Sequence, residues 1–440
     1  MRAIFVCVVA LLCRGLAASA QPLETTGPQK AMPDEWIDQD THHKVVRLSR
    51  KDGNNLSFYF HNNPFIGEKM IFYSTDGDGK ALYMVDLKTL QLTRVAAAHG
   101  GGGEIVGRRS KSVYFQSHDS VFNTSLETGQ TRLAYVFPAD FKGSITTLNA
   151  DEGLLAGTWA SPEQREISRK YPEKHDFFDR IFDAHLPNKL FTVDLRTGKL
   201  KVIHEENTWL GHVQFSPTDP DLLMFCHEGP WQKVDRIWTI RTDGTHNTLI
   251  QKRTMFMEIA GHEFWSPDGK TIWYDWQTPK GQDFWLAGYN VETGRRTAYH
   301  MERNEWSIHF NVSRDGTLFC GDGGDPGQVA HAKDGEWIYL FHPEITKGDG
   351  VNSPDFIQPG VFHAERLVNM SKHQYRLEPN VRFTPDQKWV IFRSNMFGET
   401  YTFAVEVAKH RESASGGSSS ASLFLTQSVY RLNQSGRTRR

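Results

Sequence analysis

A short motif that recurs along the chain restricts the fold more than any other feature of the sequence. Each unit has a turn of the S-P-D-G type, a strand-like run of aromatic and β-branched residues, and a second run that ends near Thr-Gly. We count seven such units between Lys69 and Val407. The Asp-Gly and Thr-Gly pairs supply the positive φ angles that tight hairpins require. The sequence therefore predicts short antiparallel strands joined by tight turns.

Seven four-stranded units packed radially predict an all-β fold, the seven-bladed β-propeller, because this arrangement leaves only short and protected sheet edges. A solenoid and a ring of six or eight blades are the alternatives. Two stretches fall outside the repeat. Residues from about 162 to 188 are rich in charge and predict a helical insertion in the third blade, and residues from about 346 to 375 predict a long excursion before the last blade. Long insertions on one rim often shape a ligand site.

The two ends of the chain differ in composition from the repeats. Residues 1–20 combine Arg2, an apolar run and the small residues Ala18-Ser19-Ala20, as a secretory signal peptide does. We therefore expect export, to the periplasm if the source has two membranes, and no later stretch is apolar enough to span a bilayer. The propeller is expected to cover residues 21–410, and the Ser/Gly-rich residues 411–440 to be disordered.

Composition limits what can hold this chain together and what it can bind. After removal of the signal peptide, Cys226 and Cys320 remain, so at most one disulfide can form. Stability must come from a core, which 38% hydrophobic and 12% aromatic residues can build. The formal net charge of −2 provides no electrostatic attraction for nucleic acid or anionic lipid. Any functional positive charge is therefore local.

Three histidines stand at the same place in successive units. His212, His262 and His309 each come immediately before the first strand of a blade. Equivalent positions in a radial array lie at the same end of the central channel, so the three side chains are expected to converge. Alone, each histidine is better explained by a hydrogen bond to a turn of its own blade. Together they are compatible with a metal site, a base, an anion site or structural caps.

Two further residues in the same region are candidate ligands for a substrate. His227 lies at the end of an inner strand, and Arg236 lies in a hydrophobic setting between Val234 and Trp238. An arginine in that setting forms a core-edge ion pair, with Asp235 as the nearest candidate, or binds a carboxylate. We take His212 and His227 as candidate substrate-binding residues.

Three of these motifs closely resemble those of the oligogalacturonate lyases: F-C-H-E-G-P-W-x-x-V-D-R, G-H-E-F-W-S-P-D-G and I-H-F-N-V-S-R-D-G. The resemblance extends from Thr41 to Val407. It implies a seven-bladed propeller that cleaves oligogalacturonides by metal-assisted β-elimination and yields unsaturated uronates. It also implies that His262 is the Brønsted base, that Arg236 is its catalytic partner, and that His309 binds a divalent metal, usually manganese.

The last blade departs from the pattern of that family. Its well-known members carry Q-x-x-H-P-H-P before F-T-P-D, and this chain has H-Q-Y-R-L-E-P-N-V-R-F-T-P-D. Counting back from Phe383 aligns Glu378 and Asn380 with the two histidines, and Gln374 or Tyr375 with the glutamine. We take Gln374, Glu378 and Asn380 to complete the expected metal site. Oxygen ligands suit Mn²⁺, and Ca²⁺ in the extreme. The family's well-known members are cytoplasmic, whereas this chain is expected to be exported.

Two other functions remain as alternatives. The first is a non-catalytic exported propeller, similar to the TolB-like modules, that binds a protein or a glycan. The second is a lyase for a different uronic-acid oligosaccharide. His262, Arg236 and His309 in their motif contexts argue against the first alternative, because a scaffold has no need of them.

Overall fold

The computed structural model describes residues 20–24, 26–77, 79–97, 104–351 and 353–410. The predicted signal peptide, apart from Ala20, and the predicted disordered tail from residue 411 lie outside these ranges. Within them, no helix has the length and apolar character needed to cross a membrane.

The strands follow one another along the chain in groups that form the sheets. The N-terminal strands are β1 (Pro22–Leu23), β2 (Glu35–Asp38) and β3 (His43–Arg47). The first sheet contains β4 (Asn55–Leu56), β5 (Phe65–Ile66), β6 (Lys69–Asp76), β7 (Gly79–Asp86) and β8 (Leu92–Ala97). The second sheet contains β9 (Ile105–Gly107), β10 (Ser112–Ser117), β11 (Ser120–Ser125) and β12 (Thr131–Val136). The third sheet contains β13 (Gly143–Leu148), β14 (Leu154–Ala160), β15 (Asn188–Asp194) and β16 (Lys199–Glu206), with helices α1 (Pro162–Lys170) and α2 (Lys174–Ala184) between β14 and β15.

The remaining sheets repeat this pattern. The fourth contains β17 (Leu210–Phe215), β18 (Leu222–His227), β19 (Ile237–Arg241) and β20 (Thr248–Leu249). The fifth contains β21 (Ile259–Trp265), β22 (Thr271–Gln277), β23 (Phe284–Asn290) and β24 (Arg296–His300). The sixth contains β25 (Phe310–Val312), β26 (Phe319–Gly321), β27 (Trp337–Ile345) and β28 (Ile357–Asn369), and β28 also pairs in parallel with β24. The seventh contains β29 (Arg382–Phe383), β30 (Trp389–Phe397) and β31 (Glu399–Lys409).

The N-terminal strands complete the seventh sheet. Strand β3 pairs antiparallel with β31, so that Val45 lies opposite Val405, and β2 and β1 continue the same sheet. The two ends of the described chain are thereby held in one sheet. A single cavity is lined by residues from all seven sheets, from Phe65 in the first to Phe383 in the seventh. The sheets therefore surround a central channel, as the repeats predict, and a short strand of each sheet lines that channel.

The hairpin turns are formed as their sequences predict. In the fifth sheet, Thr271 N–H donates to Ser266 Oγ at 2.9 Å, and Ser266 Oγ donates to Asp268 Oδ1 at 2.5 Å. Gly269 has a φ of 70°, and Gly294 of the Thr-Gly pair has a φ of 71°. An L-residue with a side chain adopts this region at a cost, so glycine is favoured there.

The core lies between neighbouring sheets rather than in one central layer. One cluster joins Ala156 and Leu190 of the third sheet to Val213 and Phe225 of the fourth. Cys226 and Cys320 are buried, free and in different sheets, so the disulfide that the sequence allows is not formed.

The stretch from about 346 to 375 differs from its prediction. Instead of an excursion outside the repeat, residues 357–369 form β28, the outer strand of the sixth sheet. An outer strand faces solvent on much of its surface, and β28 alternates exposed and buried residues irregularly. Its sequence therefore lacks the apolar signature of the inner strands.

Because β2 and β3 close the ring, substitutions in the core at this closure should destabilise the fold strongly. Trp36 of β2 is 1% exposed and packs edge-on against Phe397 and Phe403 of the seventh sheet. Trp36→Ala should lower the free energy of unfolding by about 3–5 kcal/mol in urea denaturation, because it leaves a cavity at the seam. Leu133→Ala is the control, since Leu133 is 56% exposed. A loss for Trp36→Ala no larger than that of the control would contradict this account of closure.

Candidate active site at one mouth of the channel

His212, His262 and His309 lie together at one end of the channel, which we call the histidine mouth. The ring centroids of His262 and His309 are 5.2 Å apart. The ring of Tyr59 lies 5.2 Å from His309 and 6.0 Å from His212. The convergence expected from equivalent positions in successive blades is thus present in the structure.

Local backbone geometry directs two of these histidines toward the channel. His212 and His262 both have a φ of 46°, and each lies at a register shift in the first strand of its sheet. Such β-bulges turn a side chain away from the regular alternation of the strand. A glycine precedes each histidine, and a Cβ at Gly261 would come within 3.1 Å of Asp275 Oδ1. The Gly-His pair therefore lets a carboxylate from the neighbouring strand approach the ring.

Each histidine is paired with a carboxylate of its own sheet. Three pairs of atoms lie within hydrogen-bonding distance: His212 Nε2 and Glu228 Oε1 at 3.1 Å, His262 Nδ1 and Asp275 Oδ1 at 2.9 Å, His309 Nδ1 and Asp322 Oδ2 at 2.8 Å. A carboxylate that accepts from Nδ1–H fixes the tautomer and leaves Nε2 as the ring's lone-pair nitrogen. His262 and His309 therefore both present Nε2 to the mouth.

The pairing also sets the acidity of His262. Burial disfavours its protonated ring, but the charge and hydrogen bond of Asp275 outweigh burial and raise the pKa of His262 above its ordinary value. The ring is therefore a stronger base than an isolated imidazole. As the pH falls, His262 becomes protonated and stops acting as a base. Because its pKa is raised, this happens at a higher pH than for a free imidazole.

Arg236 is buried between two glutamates. Its Nε donates to Glu263 Oε2 at 2.9 Å and its Nη2 to Glu228 Oε1 at 3.0 Å, so the partners are not Asp235 but residues of neighbouring strands. Burial would raise the pKa of Glu228, but Arg236 holds it well below its usual range. Nη1 of Arg236 is buried without a hydrogen-bond partner in the described part of the chain. An unpaired buried N–H is costly, so this edge of the guanidinium is suited to an incoming anion.

The predicted metal ligands are only partly brought together. His309 is fully buried, and its Nε2 lies 3.8 Å from Glu378 Oε2 without a hydrogen bond among the described residues. Asn380 is also close, but its side chain accepts from Phe60 N–H at 2.9 Å and donates to Glu378 O at 3.0 Å. Gln374 is exposed, and its backbone N–H donates to Asn395. The structure thus leaves His309 and Glu378 as the available pair of donors.

A second group of ligand-like atoms belongs to the arginine network. His212, Cys226 and Glu228 place their donor atoms within 4.8 Å of one another. Burial raises the pKa of the Cys226 thiol well above its ordinary value, and Glu228 Oε1 already accepts from Arg236. A protonated thiol and a paired carboxylate are poor ligands for a cation. We therefore assign this group to hydrogen bonding.

His227 does not join the histidine mouth. Its ring stacks on Trp238 with centroids 4.9 Å apart, and its Nε2 lies 3.2 Å from Glu206. These neighbours belong to the third and fourth sheets and are not part of the cluster. A substrate-binding role for His227 therefore lacks support from its surroundings.

The segment Tyr59–His61, which no motif of the sequence indicated, reaches across the channel from the first sheet. Phe60 packs 4.6 Å from His309, and His61 lies 5.9 Å from His212. The first sheet borders the second and the seventh, so contacts with the fourth, fifth and sixth sheets mean that the segment crosses the channel. Burial raises the pKa of Tyr59 well above its ordinary value, which keeps its phenol protonated.

Asp275 and Asp322 were also missed. Both lie 13 residues after their histidines, His262 and His309. That repeated spacing could have identified them from the sequence.

The helical insertion of the third sheet packs beside the site. Phe182 of α2 fills the space above Gly229, where a Cβ would come within 2.5 Å of its ring. Lys174 Nζ lies 5.5 Å from the ring of Trp231, and Trp231 lies 5.7 Å from His262. The insertion therefore supports the loop that borders the histidine mouth.

Comparison with known proteins identifies close counterparts for nearly the whole described chain. Residues 34–411 match the family model described as oligogalacturonate lyase. The oligogalacturonide lyase of Pectobacterium atrosepticum is 26% identical over 391 residues, which are 84% of this chain and 95% of that protein. The oligogalacturonate lyase of Dickeya dadantii is 26% identical over 387 residues, with 84% and 95% covered. A solved oligogalacturonate lyase in complex with manganese superposes with a TM-score of 0.70 at 24% identity, covering 87% of this chain and 98% of that one.

The pairing of His262 with Asp275 can be measured directly. NMR titration of the imidazole should give a pKa above that of a free histidine, and Asp275→Asn should lower it, because the attracting charge is removed. Asp315→Asn changes an exposed turn aspartate and should leave the titration unchanged. An unchanged pKa of His262 in Asp275→Asn would contradict the pairing.

Proposed function

Because this chain belongs to the oligogalacturonate lyase family, we propose that it cleaves oligogalacturonides by β-elimination at the histidine mouth. The observation that carries the proposal is His262, which Asp275 orients through Nδ1 and which lies near the charge of the buried Arg236, whose Nη1 has no partner among the described residues. The reaction removes the C5 proton of a uronate, breaks the bond from C4 to the glycosidic oxygen and forms a C4=C5 double bond. A base, a carboxylate-binding group and a proton donor are therefore required.

His262 has the properties of the base. Asp275 holds the Nδ1 proton, so Nε2 accepts the C5 proton, and the carboxylate stabilises the imidazolium that results. Arg236 is fixed by Glu228 and Glu263 and has one donor edge left for the substrate carboxylate. Binding that carboxylate lowers the cost of the negative charge that develops next to C5.

His309 and Glu378 fit a divalent cation. The buried His309 Nε2 has no hydrogen-bond partner among the described residues, Asp322 fixes the ring, and Glu378 supplies an oxygen 3.8 Å away. Imidazole and carboxylate donors suit Mn²⁺, and the manganese bound to a relative supports that choice. A cation held there would neutralise the uronate carboxylate and make the C5 proton more acidic.

Tyr59 is our candidate for the proton donor to the leaving oxygen. Its ring lies 5.2 Å from His309, and burial followed by Glu378 raises the pKa of its phenol, so it carries a proton at neutral pH. Tyr59→Phe should lower kcat by about 10²-fold, the usual loss for a general acid, with unchanged melting temperature and metal content. An unchanged kcat would assign the donor elsewhere.

Turnover assays test the proposed function. Purified protein with Mn²⁺ and oligogalacturonides should show rising ultraviolet absorbance from the conjugated product, and EDTA should abolish it. His262→Ala should lower kcat by about 10²–10⁴-fold with an intact fold. His227→Ala is the matched control and should retain activity, because His227 lies outside the mouth. A panel with glucuronate-containing oligomers tests the alternative substrate, and no product from any uronide would overturn the proposal.

Metal analysis separates the two available donors from the other predicted ligands. His309→Ala and Glu378→Ala should weaken Mn²⁺ binding by at least about tenfold. Gln374→Ala should retain bound metal, because Gln374 is exposed. The measurement is bound manganese after dialysis. Loss of metal in Gln374→Ala but not in Glu378→Ala would mean that the last-blade donors are misassigned.

We further propose that the protein acts after export. The composition of residues 1–20 supports this, since they combine a basic start, a short apolar run and a small-residue site. Mass spectrometry of the mature N-terminus in a periplasmic fraction tests it. An uncleaved protein confined to the cytosol would exclude export.

A further inference from the structure

The cavity that all seven sheets line lies further along the channel than His212, His262 and His309. Its volume is about 770 Å³, and its lining includes Phe215, Trp265 and Val312. Each of these follows a histidine of the mouth by three residues along the first strand of its sheet, since His212, His262 and His309 are those histidines. At ~3.3 Å per residue the lining lies roughly 10 Å further along the channel. We call this end the opposite mouth.

Four arginines line the opposite mouth: Arg108, Arg109, Arg314 and Arg382. Within the described ranges, none of the four forms an ion pair with a carboxylate. Arg382 donates through Nη1 to Phe60 O at 2.8 Å, which anchors it beneath the crossing segment. Burial and then Arg108 lower the pKa of Arg382 to about 10, the direction expected for cations gathered without a counter-ion.

The acidic and titratable groups of this cavity do not cancel that charge. Glu104 accepts from Tyr59 N–H at 2.9 Å and Asn62 at 3.1 Å. Glu152 accepts from the backbone N–H groups of Arg109 and Ser110 at 2.6 and 2.9 Å. Burial lowers the pKa of His61 well below its ordinary value, so that ring is neutral. Four guanidinium groups against two carboxylates leave a cavity that attracts anions.

The uncharged lining favours a sugar. The amide nitrogen of Gln214 donates a hydrogen bond to Glu263 O, and the amide oxygen of Asn311 accepts one from Phe383 N–H. The remaining oxygen of Gln214 and nitrogen of Asn311 are left to hydrogen-bond hydroxyl groups. Trp265 adds an indole ring to the same wall. Separate cations, amide groups and one aromatic ring are the elements that recognise carbohydrates bearing carboxylates.

We propose that the opposite mouth is a second binding site for a short uronate saccharide, separate from the histidine mouth. Its volume lies in the range of small-molecule sites. The choice of uronate as the ligand rests on the proposed function. The positive charge and the cavity are observed independently of that function. Arg108 and Arg314 contact the carboxylates, and the crossing segment Tyr59–His61 separates the two sites.

Calorimetric titration with saturated digalacturonate tests the proposal. All proteins carry His262→Ala to prevent turnover, and Mn²⁺ is present throughout. The parent protein should bind two molecules, and Arg108→Gln/Arg314→Gln should bind one, with at least about tenfold weaker binding at the lost site. Both arginines are exposed, so the double variant should melt like the parent. Arg196→Gln, at an exposed turn outside the cavity, is the matched control and should bind two.

Each other outcome is informative. If the parent protein binds one molecule and Arg108→Gln/Arg314→Gln binds none, the bound molecule occupies the opposite mouth. That result supports the second site and contradicts the proposed function, because the histidine mouth then binds no uronate. Two sites that persist in the double variant overturn the opposite mouth, as does a parent with one site that the double variant retains. Neutral galactobiose should not occupy the second site. Inorganic phosphate that displaces digalacturonate at equal concentration would make the site a general anion site and overturn the saccharide assignment.

Discussion

Antiparallel pairing of β3 with β31 is the interaction on which the remaining geometry depends, because it joins the first described strands to the last. Once the ring is closed, a short strand of every sheet lines the same channel. Equivalent residues of successive repeats then meet in space although they are far apart in sequence. His212, His262 and His309 come together for this reason, and the segment Tyr59–His61 can reach them from the first sheet.

Carboxylates of neighbouring strands orient the histidine rings and thereby determine their chemical properties. Asp275 and Asp322 orient His262 and His309 with the same contact, yet the two rings have different surroundings. His262 is partly exposed, borders Trp231 and has its pKa raised by Asp275, which suits a base. His309 is fully buried next to Glu378, which suits a metal ligand. One repeated local structure therefore supports two roles.

Much of this arrangement could be predicted from the sequence. The turn glycines, the propeller fold and the convergence of the three histidines follow from the repeat, because each is a consequence of local pattern and ring geometry. The ion-pair partners of Arg236 could not be predicted, since Glu263 lies on a neighbouring sheet and the sequence offered Asp235 as the nearest acid. Asn380 aligned with a metal ligand, but its amide holds the backbone of Phe60, a contact between the seventh and first sheets. Contacts between sheets that are far apart in the sequence, such as the seventh and the first, cannot be recognised from a local sequence pattern.

The most direct test of the account is a crystal structure of the His262→Ala variant with Mn²⁺ and a bound oligogalacturonide, with anomalous data collected at the manganese edge. The account predicts an anomalous peak between His309 Nε2 and Glu378. It also predicts a uronate carboxylate in contact with Arg236 Nη1, and C5 of that sugar facing the space left by the His262 ring. A metal held instead by His212, Cys226 and Glu228, or a sugar whose C5 faces away from position 262, would contradict it.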